Sequence, residues 1–194
     1  MLHLPGMLAA ALLLTSTIGV LSADEPAKGG DVTTVKLKDL TLQLPKSWSE
    51  SDLKSSMRLA TYDIPAAEGD KEKGELAIST FPGGGGGVDQ NLARWVDQFD
   101  AKGRTTVIKK GKAGENEYYI ADLSGTYKKS VGPPILRKTE PAPGYRMLAV
   151  ILVMKNEEVY FLKLTGPDKT IKAQAETFRK TFGGASAGEE AYEL

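Results

Sequence analysis

Residues 147–154 read Met-Leu-Ala-Val-Ile-Leu-Val-Met, eight consecutive apolar side chains with no polar interruption. Successive side chains of a strand point to opposite faces, so such a run needs cover on both sides. The segment Lys155-Asn156-Glu157-Glu158 then turns the chain, and Val159-Tyr160-Phe161-Leu162-Lys163-Leu164 follows. The expectation is a central strand paired antiparallel with residues 159–164, with Ile151 among the most buried residues and helices on both sheet faces.

Other strands show the alternation of a half-buried surface. Thr33-Thr34-Val35-Lys36-Leu37 and Leu40-Thr41-Leu42-Gln43-Leu44 flank a turn at Lys38-Asp39. Residues 57–64, 75–81, 104–109 and 117–127 are further candidates, the last two separated by Gly111-Lys112-Ala113-Gly114. Residues 130–144 carry Pro133, Pro134, Pro141 and Pro143 and read as an irregular loop without ladder pairing. Val88, Leu92, Trp95, Val96 and Phe99 recur at helical spacing, predicting an amphipathic helix over 88–99. Ile171, Ala175, Phe178 and Phe182 predict a last helix that begins at Thr165-Gly166-Pro167. Hairpin-like pairs with two inserted helices argue for an α+β fold, a mainly antiparallel sheet with helices packed on its faces.

The N-terminus reads as an export signal. Leu8 to Leu14 are apolar, Thr15-Ser16-Thr17 interrupt, and the small residues Ser22 and Ala23 precede Asp24-Glu25. The apolar core is too short and too hydroxyl-rich for a membrane span, although no Lys or Arg precedes it. The expected division is a signal peptide over 1–22, a flexible lead-in over 23–31, one α+β domain over 32–182, and a disordered tail over 183–194. Localisation is then periplasmic or extracellular, with no stable membrane span after cleavage. The chain has no cysteine, which excludes a disulfide framework, a zinc ribbon and a thiol nucleophile. Its one histidine, His3, falls inside the signal.

The stretch Leu42-Gln43-Leu44-Pro45-Lys46-Ser47-Trp48 resembles the apolar-x-apolar-Pro-x-x-Trp opening of PsbP-like and DcrB-like domains. The late hairpin, Phe161-Leu162-Lys163-Leu164-Thr165-Gly166-Pro167 and the final helix are similar to their C-terminal half. Together these words span most of residues 32–182. The resemblance implies an α/β/α sandwich around an antiparallel sheet, and a binding or assembly habit rather than a shared reaction. Members include an extrinsic photosystem II subunit, a Ran-binding nuclear-import factor and bacterial envelope proteins. Ser47 stands where a Gly is common. The five glycines 83–87 and the Asn91-x-x-Arg94-Trp95-x-x-Gln98-Phe99 helix depart from the general pattern, and look like those of a bacterial exported subgroup.

Each chemical candidate has a structural alternative. Gly85, Gly86 and Gly87 open a helix and could present N–H groups to an anion, but no Gly-Lys-Ser/Thr follows, so a flexible connector is the simpler reading. Asn91, Trp95 and Gln98 share much of one helical face with Arg94 beside it, a patch able to grip a partner or planar ligand. Alternatively Trp95 joins Leu92 and Phe99 in the core while Asn91 and Gln98 bond nearby backbone. Ser51-x-x-Lys54 matches a penicillin-recognising pair without its companion motifs. Asp122 sits mid-strand with Ser124 and Thr126, where solvation accounts for it. Lys109, Lys110 and Lys112 could join Lys128, Lys129, Arg137 and Lys138 in one basic patch if their strands pair. The chain holds 25 basic and 25 acidic residues, and neutrality with export argues against nucleic acid.

These residues point to a non-catalytic binding or assembly module of the envelope, with another envelope protein as partner. A carrier of a small ligand or anion is the alternative, and a hydrolase-type enzyme a more distant one. No catalytic residue, cofactor or metal site is expected. N-terminal sequencing of the exported protein should find a chain starting at Ala23 or Asp24; Met1 retained in a membrane fraction would contradict the export reading.

Overall fold

The computed structural model describes residues 1–2, 31–52, 56–132, 136 and 138–194. The expected signal peptide from residue 3 and nearly all of the lead-in lie outside the described residues. Among the described residues no helix is long and apolar enough to cross a membrane.

Two strands, β1 (Val32–Leu37) and β2 (Leu40–Pro45), form a separate antiparallel hairpin. Then come β3 (Ser49–Glu50), β4 (Arg58–Ile64) and β5 (Gly74–Thr80), a tight turn at Pro82–Gly85, and helix α1 (Val88–Val96). β6 (Thr105–Ala113), β7 (Asn116–Ser130), β8 (Thr139–Val153) and β9 (Val159–Pro167) follow. The chain closes with α2 (Asp168–Ala173), α3 (Ala175–Thr181) and β10 (Glu190–Ala191). The described strands of the main sheet run in the order β10-β6-β7-β8-β9-β5-β4-β3, and every pairing is antiparallel. The fold is α+β, with helices on both sheet faces.

β8 is the covered centre that its sequence demands. Leu148, Val150 and Leu152 point to one core, together with Ile171, Phe178, Trp48 and the hairpin residues Leu40, Leu42 and Leu44. Met147, Ala149 and Ile151 point to a second core, under Leu92, Trp95 and Phe99. All six β8 side chains are at most 1% exposed. Ile151 pairs with Phe161 across β9, so the expected register holds.

Three local expectations change. β6 runs on through Gly111 and Lys112, leaving only Gly114-Glu115 to turn, because Ala113 still pairs with Asn116. The proline-rich stretch is not all loop: β8 begins at Thr139, and Pro141 stands opposite Lys128. β9 reaches only as far as Tyr145, so Pro141 and Pro143 occupy a part of β8 with one neighbouring strand, where a missing N–H costs no ladder bond. Pro133 and Pro134 lie outside the described residues. The last helix is two, with a break at Gln174, and Pro167 caps the first rather than entering its first turn.

The tail is also corrected. Residues 183–194 return to the sheet instead of standing free. Glu190 and Ala191 pair with Lys110 and Lys109 of β6, and Tyr192 N donates to Ile108 O at 2.9 Å. The anchor is a buried ion pair. Arg179 Nε and Nη2 lie 2.6 and 3.1 Å from the two Glu189 oxygens, and the side chains are 8% and 0% exposed. The Tyr118 hydroxyl is 3.1 Å from Glu189 Oε1, and burial with that carboxylate pushes its phenol up to about 12. Burial alone would raise Glu189, but Arg179 outweighs it and holds the carboxyl below its ordinary range.

A carboxyl lowered by folding stabilises the fold fully above its ordinary titration range, and that contribution fades as pH falls through the lowered value. Glu189→Gln should therefore cost about 3 kcal/mol at pH 7, since it removes the buried carboxylate and leaves the Arg179 charge only the exposed Glu176, 3.7 Å away. Urea denaturation should show that gap narrowing below about pH 4. A pH-independent gap would assign the tail's hold to packing instead.

Candidate functional site

The glycine run is a shaped turn. Gly83, Gly84, Gly85 and Gly86 all have positive φ, from 68° to 98°, a region that other L residues rarely enter. Gly84 N donates to Phe81 O at 3.0 Å, and the Asn91 side-chain amide faces the carbonyls of Gly85, Gly86 and Gly87 at 3.3, 3.4 and 2.9 Å. A Cβ on Gly85 would stand 3.0 Å from Phe81 and 3.1 Å from Phe161. The flexible-connector reading is corrected accordingly: left-handed backbone selects glycine at 83–86, and close packing adds to that at Gly85. Carbonyls converge on Asn91, which is the arrangement opposite to an anion nest.

Asn91 is 6% exposed and acts as the turn's clasp. Trp95, 8% exposed, meets Phe161 edge-on at 6.2 Å and belongs to the core with Leu92 and Phe99. Arg94 is exposed. Gln98 leaves this group, because its Oε1 accepts from Lys163 Nζ of β9 at 2.7 Å. The structure thus joins Asn91 to Gly85–Gly87 and, with α1 ending at Val96 rather than at residue 99, places Gln98 beyond the helix, so the four residues do not form one patch.

Gln98 leads to a cleft of about 330 Å³ on the sheet face beside α1. Register builds it. Lys163 on β9 stands between Ala77 of β5 and Ala149 of β8, and Thr165 stands between Glu75 and Met147. Two alanines flanking a lysine leave a depression. The walls carry Arg58, Glu72, Lys129, Tyr127 and Tyr145. The two tyrosine rings stack at 5.9 Å with 9° between planes, and Lys163 Nζ lies 5.5 Å from the Tyr127 ring centre.

A charged network lines the outer wall. Lys129 Nζ donates to Glu72 Oε2 at 2.8 Å, and the Tyr145 hydroxyl donates to the same oxygen at 2.6 Å. Those hydrogen bonds hold Glu72 below the ordinary carboxylate range, and the bond to Glu72 holds Lys129 above the ordinary lysine value. Burial, with Glu72, raises the Tyr145 phenol. Arg58 Nη1 meets Glu75 Oε1 at 2.9 Å on the opposite wall.

The basic residues do not merge. β6 and β7 do pair, but Lys109, Lys110 and Lys112 face Ile120, Tyr119 and Glu117, whereas Lys128 and Lys129 lie at the other end of β7. At about 3.4 Å per residue the groups are roughly 30 Å apart. Lys109, Lys110, Lys128 and Lys129 each meet a carboxylate within 4 Å, at Glu189, Glu190, Asp100 and Glu72. Asp122 is not merely solvated: Arg146 Nη2 binds it at 2.6 Å while Nη1 binds Asp168 at 3.0 Å, tying α2 to the sheet. Among the described residues no group of three or more His, Asp or Glu could hold a metal. Lys54 and Arg137 lie outside the described residues.

The cleft escaped the sequence reading because its residues come from strands far apart in the chain. A signal was present in Lys163, a charge within the apolar run 159–164 and on the same strand face as Thr165.

No protein-family model matches the chain, and no curated protein matches it in sequence. Solved structures do resemble it in shape. A Pseudomonas aeruginosa protein of unknown function, described as a candidate regulator, aligns with TM-score 0.42 and 12% identity over 77% of this chain and 92% of that one. The solution structure of cyanobacterial PsbP (CyanoP) from Synechocystis sp. PCC 6803 aligns with TM-score 0.47 and 15% identity over 90% of this chain and 100% of that one.

The turn geometry separates neighbouring glycines. Gly85→Ala should destabilise by about 2–4 kcal/mol, combining backbone strain with overpacking against Phe81 and Phe161. Gly87 has ordinary φ and open space around its Cβ position, so Gly87→Ala should stay within about 1 kcal/mol. Urea unfolding of both variants makes the comparison; equal, small effects would restore the connector reading.

Proposed function

We propose that this chain is an exported, non-catalytic binding or assembly module of the bacterial envelope, and that another envelope protein docks over the open sheet face beside α1. The observation that carries this reading is the cleft, where the sheet face left open beside α1 presents ordered charges around a half-buried Tyr127 that stacks on the buried Tyr145. Aromatic rings held rigidly by polar partners suit recognition, because little side-chain freedom remains to be lost on binding. The titration of the wall argues against acid–base catalysis. A general acid or base works best with a pKa near the ambient pH. Glu72 is shifted down, and Lys129 and Tyr145 up, so each moves away from neutrality.

The test is recovery of partners from the native envelope on tagged mature protein, identified by mass spectrometry. Ala77→Trp fills the cleft floor from a half-buried position, and Thr41→Ala alters an exposed position on the β1–β2 hairpin. A specific partner should be recovered with wild type and Thr41→Ala and reduced about tenfold or more with Ala77→Trp, a loss equivalent to ~1.4 kcal/mol. Equal recovery with all three proteins would remove the cleft face as the contact surface.

A further inference from the structure

Among the cleft's cations, Lys163 is in a different situation from the rest. Arg58, Lys73 and Lys129 each meet a carboxylate, on Glu75, Asp63 and Glu72. The Lys163 ammonium donates only to neutral oxygens, Gln98 Oε1 at 2.7 Å and the Tyr127 hydroxyl at 3.1 Å, and no ion pair with a described residue forms there. Two residues along the same strand face, Thr165 Oγ1 is buried without a hydrogen-bond partner. A buried hydroxyl left unpaired costs free energy, so such a group calls for a specific explanation. Both side chains line the same cleft, over a floor that Ala77 and Gly166 keep small.

We infer that Lys163 and Thr165 form a subsite for the carboxylate of a monoanionic ligand whose apolar or planar body lies along Tyr127. The inference rests on reading this face as a binding surface. Lys163 contributes charge and a donor, and the Thr165 hydroxyl contributes the second donor, matching the two oxygens of one carboxylate. Charge count selects a monoanion. Lys163 is the cation without an acidic partner, while Glu75 directly opposes Thr165 and Glu72 lines the outer wall. A dianionic phosphate would meet both acids at close range. The cleft volume fits a small acid or the last residue of a peptide, and these two sources share the same carboxylate chemistry.

The experiment is an NMR titration of the isotope-labelled mature protein at constant ionic strength. Probes are sodium benzoate, inorganic phosphate, and the peptide acetyl-Gly-Gly-Leu as free acid and as amide. Benzoate or the peptide acid, but not the amide, should shift Lys163, Thr165 and Tyr127 resonances saturably. Benzoate alone would identify a free small acid as the source, and the peptide acid alone a chain terminus. Lys163→Met should weaken binding at least about tenfold, Thr165→Val several-fold, and Lys163→Arg should retain most of it. Thr165→Val keeps shape and fold, so it remains informative if Lys163→Met misfolds. Shifts confined to other regions, binding unchanged in Thr165→Val, or phosphate binding as well as carboxylate would overturn the inference. Carboxylate binding with partner recovery unchanged in Ala77→Trp would leave the inference standing and remove the docking reading. The reverse pair of results would do the opposite.

Discussion

The structure depends on burying one strand from both sides. β8 presents Leu148, Val150 and Leu152 to one core and Met147, Ala149 and Ile151 to the other. Each large apolar side chain removed from water contributes about 1.5–3 kcal/mol, and neither face alone could collect the whole set. Two layers must therefore flank the sheet, and the chain supplies them unequally. One side receives the β1–β2 hairpin with α2 and α3, while α1 covers the other.

Polar contacts then fix the edges that hydrophobic burial leaves loose. Arg146 joins β7, β8 and the start of α2 through Asp122 and Asp168. Arg179 and Glu189 hold the C-terminal segment across the Tyr118 ring, where β10 can shield part of the β6 edge. An open edge strand invites pairing with other chains, so a short covering strand with flanking charges serves solubility as well as stability. A buried ion pair adds little net stability over an apolar substitute, yet breaking one side of it is costly.

What the sequence made legible follows the range of the interactions. The hairpins, α1 and the β8–β9 register rest on local periodicity, and residues such as Ile151 and Trp95 fall where that periodicity puts them. The tail did not yield to the same reasoning, because nothing near Glu189 in the chain announces Arg179. Pro141 and Pro143 looked incompatible with a ladder until the end of β9 showed that their strand has a single neighbour there. The glycines read as slack because their left-handed conformations gain meaning only against Asn91 and Phe161. In the cleft, Gln98 was visible as a helix-face residue but its partner was not. Lys163 becomes meaningful only once register sets Ala77 and Ala149 on either side of it.

The cleft itself is a consequence of geometry. Strands lie about 4.8 Å apart, so a sheet of this size spreads over roughly 30 Å, whereas one helix with its side chains is about 10 Å across. α1 has nine residues, enough to shelter Phe161, Ile151 and Ala149 but not the strands beyond. Where its cover stops, side chains on the same sheet face change from Ile151, Ala149 and Met147 to Lys163, Thr165 and Glu75. Ordinary solubility would be met by any mixture of polar side chains on that open area. This area is instead lined by a half-buried tyrosine stacked on the buried Tyr145, a lysine sunk between alanines and a buried hydroxyl left without a partner. The short helix exposes the sheet, and the register of β5, β8 and β9 gives the exposed part a shape that a carboxylate can use.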